Sequence, residues 1–298
     1  MALLIRLIIT IFFFIALALT TDLSIALNKV LSLSPEVLVT CFFLLLSQLI
    51  ITGIRWHVLI KTMSGSLPLK NCIKLYWIGM FFSQMLPTSI GGDVVRVILI
   101  DEKYFSRKKA FASIILERFI GLGILVIGAL FYLMPLLAEV EIPSHTIYIF
   151  TTCCIFGVLM FKILENNAIF IELRKFIVLI IFECTNGLLI LIKSPGVLFK
   201  FLILSIMSHS LLITAAYLLI TDLNGIVAIF PIIGTMACVM VLAALPLSIN
   251  GWGVREGAML LLLTQVGVSA EAAIASGISL GVITLLFSLP GGILYIQK

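Results

Sequence analysis

Leu86-Pro87-Thr88-Ser89-Ile90-Gly91-Gly92-Asp93-Val94-Val95-Arg96 lies without a gap over Leu245-Pro246-Leu247-Ser248-Ile249-Asn250-Gly251-Trp252-Gly253-Val254-Arg255. Leucine, proline, serine, isoleucine, glycine, valine and arginine coincide at matched positions. Apolar segments often look alike by chance, but proline, glycine and arginine at fixed offsets point to an internal duplication. Proline and paired glycines also break helices. Two broken helices in two halves of opposite orientation form a recurring architecture of proteins buried in the bilayer, where the breaks meet near the midplane.

The rest of the chain fits that setting. Hydrophobic residues make up 62% of it and charged residues 11%, against about half and about a quarter in an ordinary soluble domain. A soluble fold is excluded. Apolar blocks run over 7–20, 37–54, 75–90, 111–135, 145–161, 176–192, 197–220, 226–247, 257–269 and 272–296. Spanning helices need about 20 such residues, whereas spanning strands would alternate in shorter segments. The fold class is therefore all-α, a polytopic helical membrane bundle of seven or eight crossings and re-entrant elements. The block 7–20 follows Arg6 and reads as a retained first helix rather than a cleaved signal.

Lysine and arginine set the topology. Residues 55–74 carry Arg55, Lys61, Lys70 and Lys74 with no acid, and residues 101–109 carry Lys103, Arg107, Lys108 and Lys109. Both stretches read as cytoplasmic, so the block between them cannot cross once and is expected to be a re-entrant hairpin. Such a broken backbone is tolerated only where protein or a wet cavity surrounds it. Block 226–249 is its counterpart and either re-enters from the opposite side or crosses. Residues 22–36, Glu139 with Glu141, and Asp222 read as outside, and both termini as cytoplasmic. Block 176–192 contains Glu183 and Asn186 between two lysine-marked stretches and reads as an interfacial helix or a second shallow re-entry.

Charge at membrane depth costs about 2.5 kcal/mol or more, so it usually marks a pathway or a site. Arg96 and Arg255, with Asp93, Glu256, Arg118 and Glu117, form the candidate set. Arginine presents a planar fork of donors suited to phosphate. Gly91, Gly92, Gly251 and Gly253 would let backbone amides approach an anion, while Gln84 and Asn250 in the breaks would touch substrate or cap exposed backbone. Asp93 and Arg96 would also pair as neighbours on one helical turn, and Glu117 and Arg118 would reach an interface by snorkelling. Arg55-Trp56 reads as an interfacial anchor pair, and His209 as a hydrogen-bonded core residue. The six cysteines and three histidines show no metal-ligand spacing. Neither a metal nor another cofactor is expected, and the net charge of +5 suits anionic lipid surfaces rather than indicating nucleic acid.

At these motifs the chain resembles the flippase-like family that includes the membrane region of lysylphosphatidylglycerol synthases. The matching stretches are Arg55-Trp56, Leu86-Pro87 with Gly91-Gly92-Asp93 and Arg96, Leu116-Glu117-Arg118 with Gly121, and Pro246 through Asn250-Gly251 to Gly253-Val254-Arg255-Glu256-Gly257. The resemblance implies translocation of an anionic phospholipid or polyprenyl-phosphate-linked lipid across the cytoplasmic membrane, not catalysis. An alternative is a non-transporting subunit that presents lipid to a partner lipid-modifying enzyme or glycosyltransferase. Residues 1–298 are expected to form one transmembrane domain without the soluble aminoacyl-transfer domain of the synthases.

Overall fold

The computed structural model describes residues 23–86, 90–137, 168–245 and 248–297, and among these the chain is helical without strands. The expected first helix, the Glu139–Glu141 loop, block 145–161 and both termini lie outside the described residues. Two short helices, α1 (Leu23–Leu31) and α4 (Gly91–Leu99), accompany eight longer ones. These are α2 (Pro35–Thr62), α3 (Leu69–Met85), α5 (Arg107–Leu137), α6 (Ala168–Lys193), α7 (Pro195–Asn224), α8 (Ile229–Ala244), α9 (Val254–Leu263) and α10 (Ala270–Ile296). Four are long and apolar enough to cross a membrane: α2, α5 over Arg107–Leu130, α7 and α10. The protein is a multi-pass membrane protein.

Helices α2 and α7 form the antiparallel frame. Ser34 binds Asp222 through its backbone N–H at 2.8 Å and its hydroxyl at 2.9 Å. Farther along, the Cys41 thiol lies 3.5 Å from the Ala215 carbonyl and the Thr52 hydroxyl 3.0 Å from that of Ser208. With 28 residues, α2 is about 42 Å long, more than the hydrocarbon thickness requires.

The first hairpin opens at the C-terminal end of α2. There the Ser66 N–H donates to the Tyr104 carbonyl at 3.0 Å, so residues before α3 and after α4 share one end of the bundle and the segment between them returns to where it began. The expected re-entrant hairpin is present. The second hairpin does the same at the opposite end, where Ser34 and Asp222 lie. Asn224, ahead of α8, accepts from the Ser269 N–H at 2.8 Å and donates to the Gly267 carbonyl at 3.4 Å, both beyond α9. Block 226–249 therefore re-enters rather than crosses, and the two hairpins enter from opposite ends.

The chain breaks at matched positions for one physical reason. Leu86 and Leu245 both leave the helix in extended conformation, with φ, ψ of −86°, 141° and −67°, 136°. Each precedes a proline, which disfavours the helical conformation of the residue before it. The restarts differ. In the first copy α4 resumes at Gly91, whereas Asn250, Gly251 and Gly253 all take positive φ in the second and α9 resumes only at Val254.

Helix α6 lies over the first hairpin's open end. Cys184 rests 3.4 Å from the Ala112 carbonyl, and Gly187 packs against Leu116 and Met63. Its outward residues Ile181, Phe182, Leu189 and Ile192 are exposed. The bundle as a whole has apolar side chains on its outer surface and buried charge inside, the arrangement expected where lipid replaces water.

Candidate functional site

Five helices converge between the hairpin tips. Arg55 comes from α2, Tyr76 and Gln84 from α3, Asp93 and Arg96 from α4, Glu117 and Arg118 from α5, and His209 from α7. Glu117 is the hub. Its Oε1 accepts from Arg55 Nη2 at 2.8 Å and Nε at 3.2 Å, and its Oε2 accepts from Arg96 Nη2 at 3.4 Å. Asp93 accepts from Arg96 Nη1 at 3.2 Å and from Arg118. Arg96 is also held between two aromatic faces, 4.0 Å from the Trp56 ring centre and 4.2 Å from that of Tyr76. Desolvated contacts of this kind contribute about 2 kcal/mol, and Trp56 is itself fixed by its indole N–H donating to Ser113 at 3.0 Å.

Among the described residues, three arginines face two carboxylates in this cluster, an excess of one positive charge. A cavity of about 480 Å³ opens on it, lined by Arg55, Arg96, Arg118, Glu117 and His209. Arg55 is buried, yet its Nη1 has no hydrogen-bond partner, and the same holds for Nε2 of His209. Both atoms flank Gly121, which leaves room in front of them. Arg118 stands at the mouth, its side chain 48% exposed against 5% for Arg96. Buried polar atoms without partners are costly unless something occupies the space they face. This arrangement can hold an anion.

The second tip is built differently around its matched arginine. Arg255 pairs with Glu256, its immediate neighbour, through Nη2 at 2.5 Å and Nε at 3.0 Å, while Arg96 finds its local acid three residues earlier. Trp252 stands at the position matched to Asp93, and 5.0 Å separates the Arg255 guanidinium from its ring centre. Glu256 also accepts from the Gly253 N–H at 2.6 Å and so closes the restart of α9. Gly281 on α10 leaves space for the Arg255 guanidinium and Trp252.

The expected site residues thus divide. Asp93, Arg96, Glu117 and Arg118 form one connected network. Arg255 lines an adjoining cavity of about 360 Å³ together with Arg55, Gln84 and Asn250; a third, of about 230 Å³, joins Arg96 and Arg118 to Gln84 and Asn250. Gly92 serves helix packing, since a Cβ there would come within 2.0 Å of the Gly79 carbonyl oxygen. Gly91 is buried beside it, and Gly251 and Gly253 provide the positive φ of the second break.

Two expectations are corrected. Arg55 and Trp56 are not an interfacial anchor: both are buried, about 10 Å inside the end of a helix that continues to Thr62. His209 is a cavity-wall residue with an unpartnered nitrogen rather than a satisfied core histidine. Among the described residues, no group of three or more His, Cys, Asp or Glu is placed to hold a metal ion.

A search of curated proteins finds none that matches the chain. Residues 3–292, nearly the whole length, match the family described as the lysylphosphatidylglycerol synthase TM region. With its paired hairpins and interior arginine network, the chain belongs to that family of membrane proteins, which is associated with lipid biosynthesis or transport.

Proposed function

We propose that the protein binds the headgroup of an anionic phospholipid or a polyprenyl-phosphate-linked lipid between its hairpin tips and carries it across the cytoplasmic membrane without chemical change. The observation that carries this reading is the excess arginine in a cavity where buried Arg55 Nη1 faces open space. A phosphate offers the acceptor oxygens that this donor lacks, and guanidinium binds phosphate in bidentate fashion. Opposed re-entrant halves supply two gates around one central site. The lysine-rich end, with Lys61, Lys103, Lys108 and Lys109, faces the cytoplasm. Ser64→Cys, in a chain whose six native cysteines are replaced, is expected to label only from that side; labelling from the other face would reverse the orientation.

The test of transport is the protein reconstituted in vesicles, with transbilayer movement of fluorescent phosphatidylglycerol and phosphatidylcholine followed by quenching from outside. Faster movement of the anionic lipid is expected. Arg96→Lys keeps the charge but loses the fork and the flat face stacked between Trp56 and Tyr76, so the rate should fall at least tenfold, equivalent to about 1.4 kcal/mol. Movement of both lipids at the rate of protein-free vesicles, or an Arg96→Lys protein as fast as wild type, would contradict the proposal.

A further inference from the structure

The cavity of about 360 Å³ beside the arginine cluster has a different chemistry from its neighbour. Arg55 and Arg255 are its charged groups; Gln48, Thr52, Tyr76, Gln84, Asn250 and Thr284 are among its neutral polar ones, and no Asp or Glu among the described residues lines it. Two of these groups have committed their own hydrogens. Thr284 donates to the Leu280 carbonyl at 2.6 Å and Thr52 to the Gln48 carbonyl at 2.7 Å, which leaves oxygen lone pairs as acceptors. Gln84 Oε1 is buried with no partner. These acceptors ask the occupant for donors, while the amide N–H groups of Gln48 and Asn250 and the Tyr76 hydroxyl can donate to it. An ammonium group donates but cannot accept, so it would leave the amide and arginine donors of the lining unanswered. A hydroxyl donates without charge and also accepts, so it satisfies acceptor and arginine together.

Arg55 lines this cavity and the larger one alike, so a phosphate held at Arg55 Nη1 would have this polar compartment directly beside it. We infer that the preferred ligand is a phosphodiester lipid whose headgroup carries free hydroxyls, as a glycerol or a sugar does, with the phosphate on the arginines and the hydroxyls against Gln84, Thr284 and Thr52. Aminated headgroups are disfavoured. This rests on the anionic-lipid reading above and narrows it to a headgroup class.

The experiment measures lipid affinity of the purified full-length protein by native mass spectrometry. Phosphatidylglycerol and phosphatidylinositol are compared with phosphatidylethanol, which has the same phosphodiester and charge but no hydroxyl, and with phosphatidylcholine as the zwitterionic baseline. Two or so additional hydrogen bonds should favour at least one hydroxyl-bearing lipid over phosphatidylethanol by about tenfold; which one gains more tells a glycerol from a sugar-like ring. Gln84→Leu should bring that lipid down to the phosphatidylethanol level, and Thr284→Val serves if Gln84→Leu does not fold. Equal affinities for phosphatidylethanol, phosphatidylglycerol and phosphatidylinositol in the wild type, or a preference that survives the substitution, overturn the hydroxyl compartment while leaving the anion site standing. Phosphatidylethanol binding no tighter than phosphatidylcholine overturns the anion site itself.

Discussion

Glu117→Gln lowers the stability of the purified protein by about 3–5 kcal/mol, because it removes the carboxylate that two buried guanidinium groups share. Arg55 and Arg96 both donate to it, and Glu117 is 3% exposed. The glutamine keeps the shape but offers one acceptor oxygen and no charge, so the cluster's excess positive charge rises from one to two. Thermal unfolding in detergent measures the loss. A double variant, Arg55→Gln with Glu117→Gln, should be less destabilised than the sum of the single changes, since residues in one ion network are not additive. Anionic lipid should also raise the unfolding temperature of Glu117→Gln by more than that of the wild type, because the ligand then replaces the lost negative charge. An unfolding temperature equal to that of wild type would remove Glu117 from the centre of the account.

Gly92→Ala is the second large effect, and it acts through packing. The new methyl carbon would sit 2.0 Å from the Gly79 carbonyl oxygen, 2.2 Å from the Ser83 hydroxyl and 2.8 Å from the Gly79 carbonyl carbon. Backbone atoms cannot rotate away as a side-chain end can, so α4 must shift off α3 by about 1 Å, and overpacking of this kind costs about 1–3 kcal/mol. Asp93 and Arg96 ride on α4, so the shift also misplaces the arginine cluster and lipid movement should be lost. Gly123→Ala on α5, where a Cβ meets nothing within 4 Å, is the matched control and should be neutral or slightly stabilising. Equal behaviour of the two variants would show that the hairpin does not depend on this close approach.

The two breaks were legible in the sequence because proline and glycine act locally. Leu86 and Leu245 end their helices for a reason that needs no tertiary contact. The re-entry of the first hairpin was also legible, since lysine and arginine bracket it on both sides. For the second, with Asp222 on only one side, the loop signs left crossing and re-entry open, and the contacts of Asn224 with Gly267 and Ser269 decide between them. Arg55 was misread because hydropathy falls where charge begins, and an Arg-Trp pair at such an edge has the composition of an interfacial anchor. The helix instead continues for another two turns, with Trp56, Leu59 and Ile60 buried. Recognising Arg55 as interior required its partner Glu117, which lies 62 residues away in sequence. His209 gave no local signal at all, because one histidine in an apolar helix looks the same whether it packs or lines a cavity. The differing acid partners of Arg96 and Arg255 were visible as residues, but not their consequence: Glu256 closes the second break, while Asp93 joins Arg118 at the cavity mouth.

The central claim is that an anionic headgroup sits among Arg55, Arg96 and Arg118. An electron cryo-microscopy map of the protein in nanodiscs, with phosphatidylglycerol as the sole anionic lipid, tests it most directly. The account predicts headgroup density between the hairpin tips, with phosphate oxygens within about 4 Å of the Arg55 and Arg118 guanidinium groups, the range of an ion pair. A cavity holding only water or an acyl chain, with phosphate density confined to the lysines at the bundle's end, would contradict it.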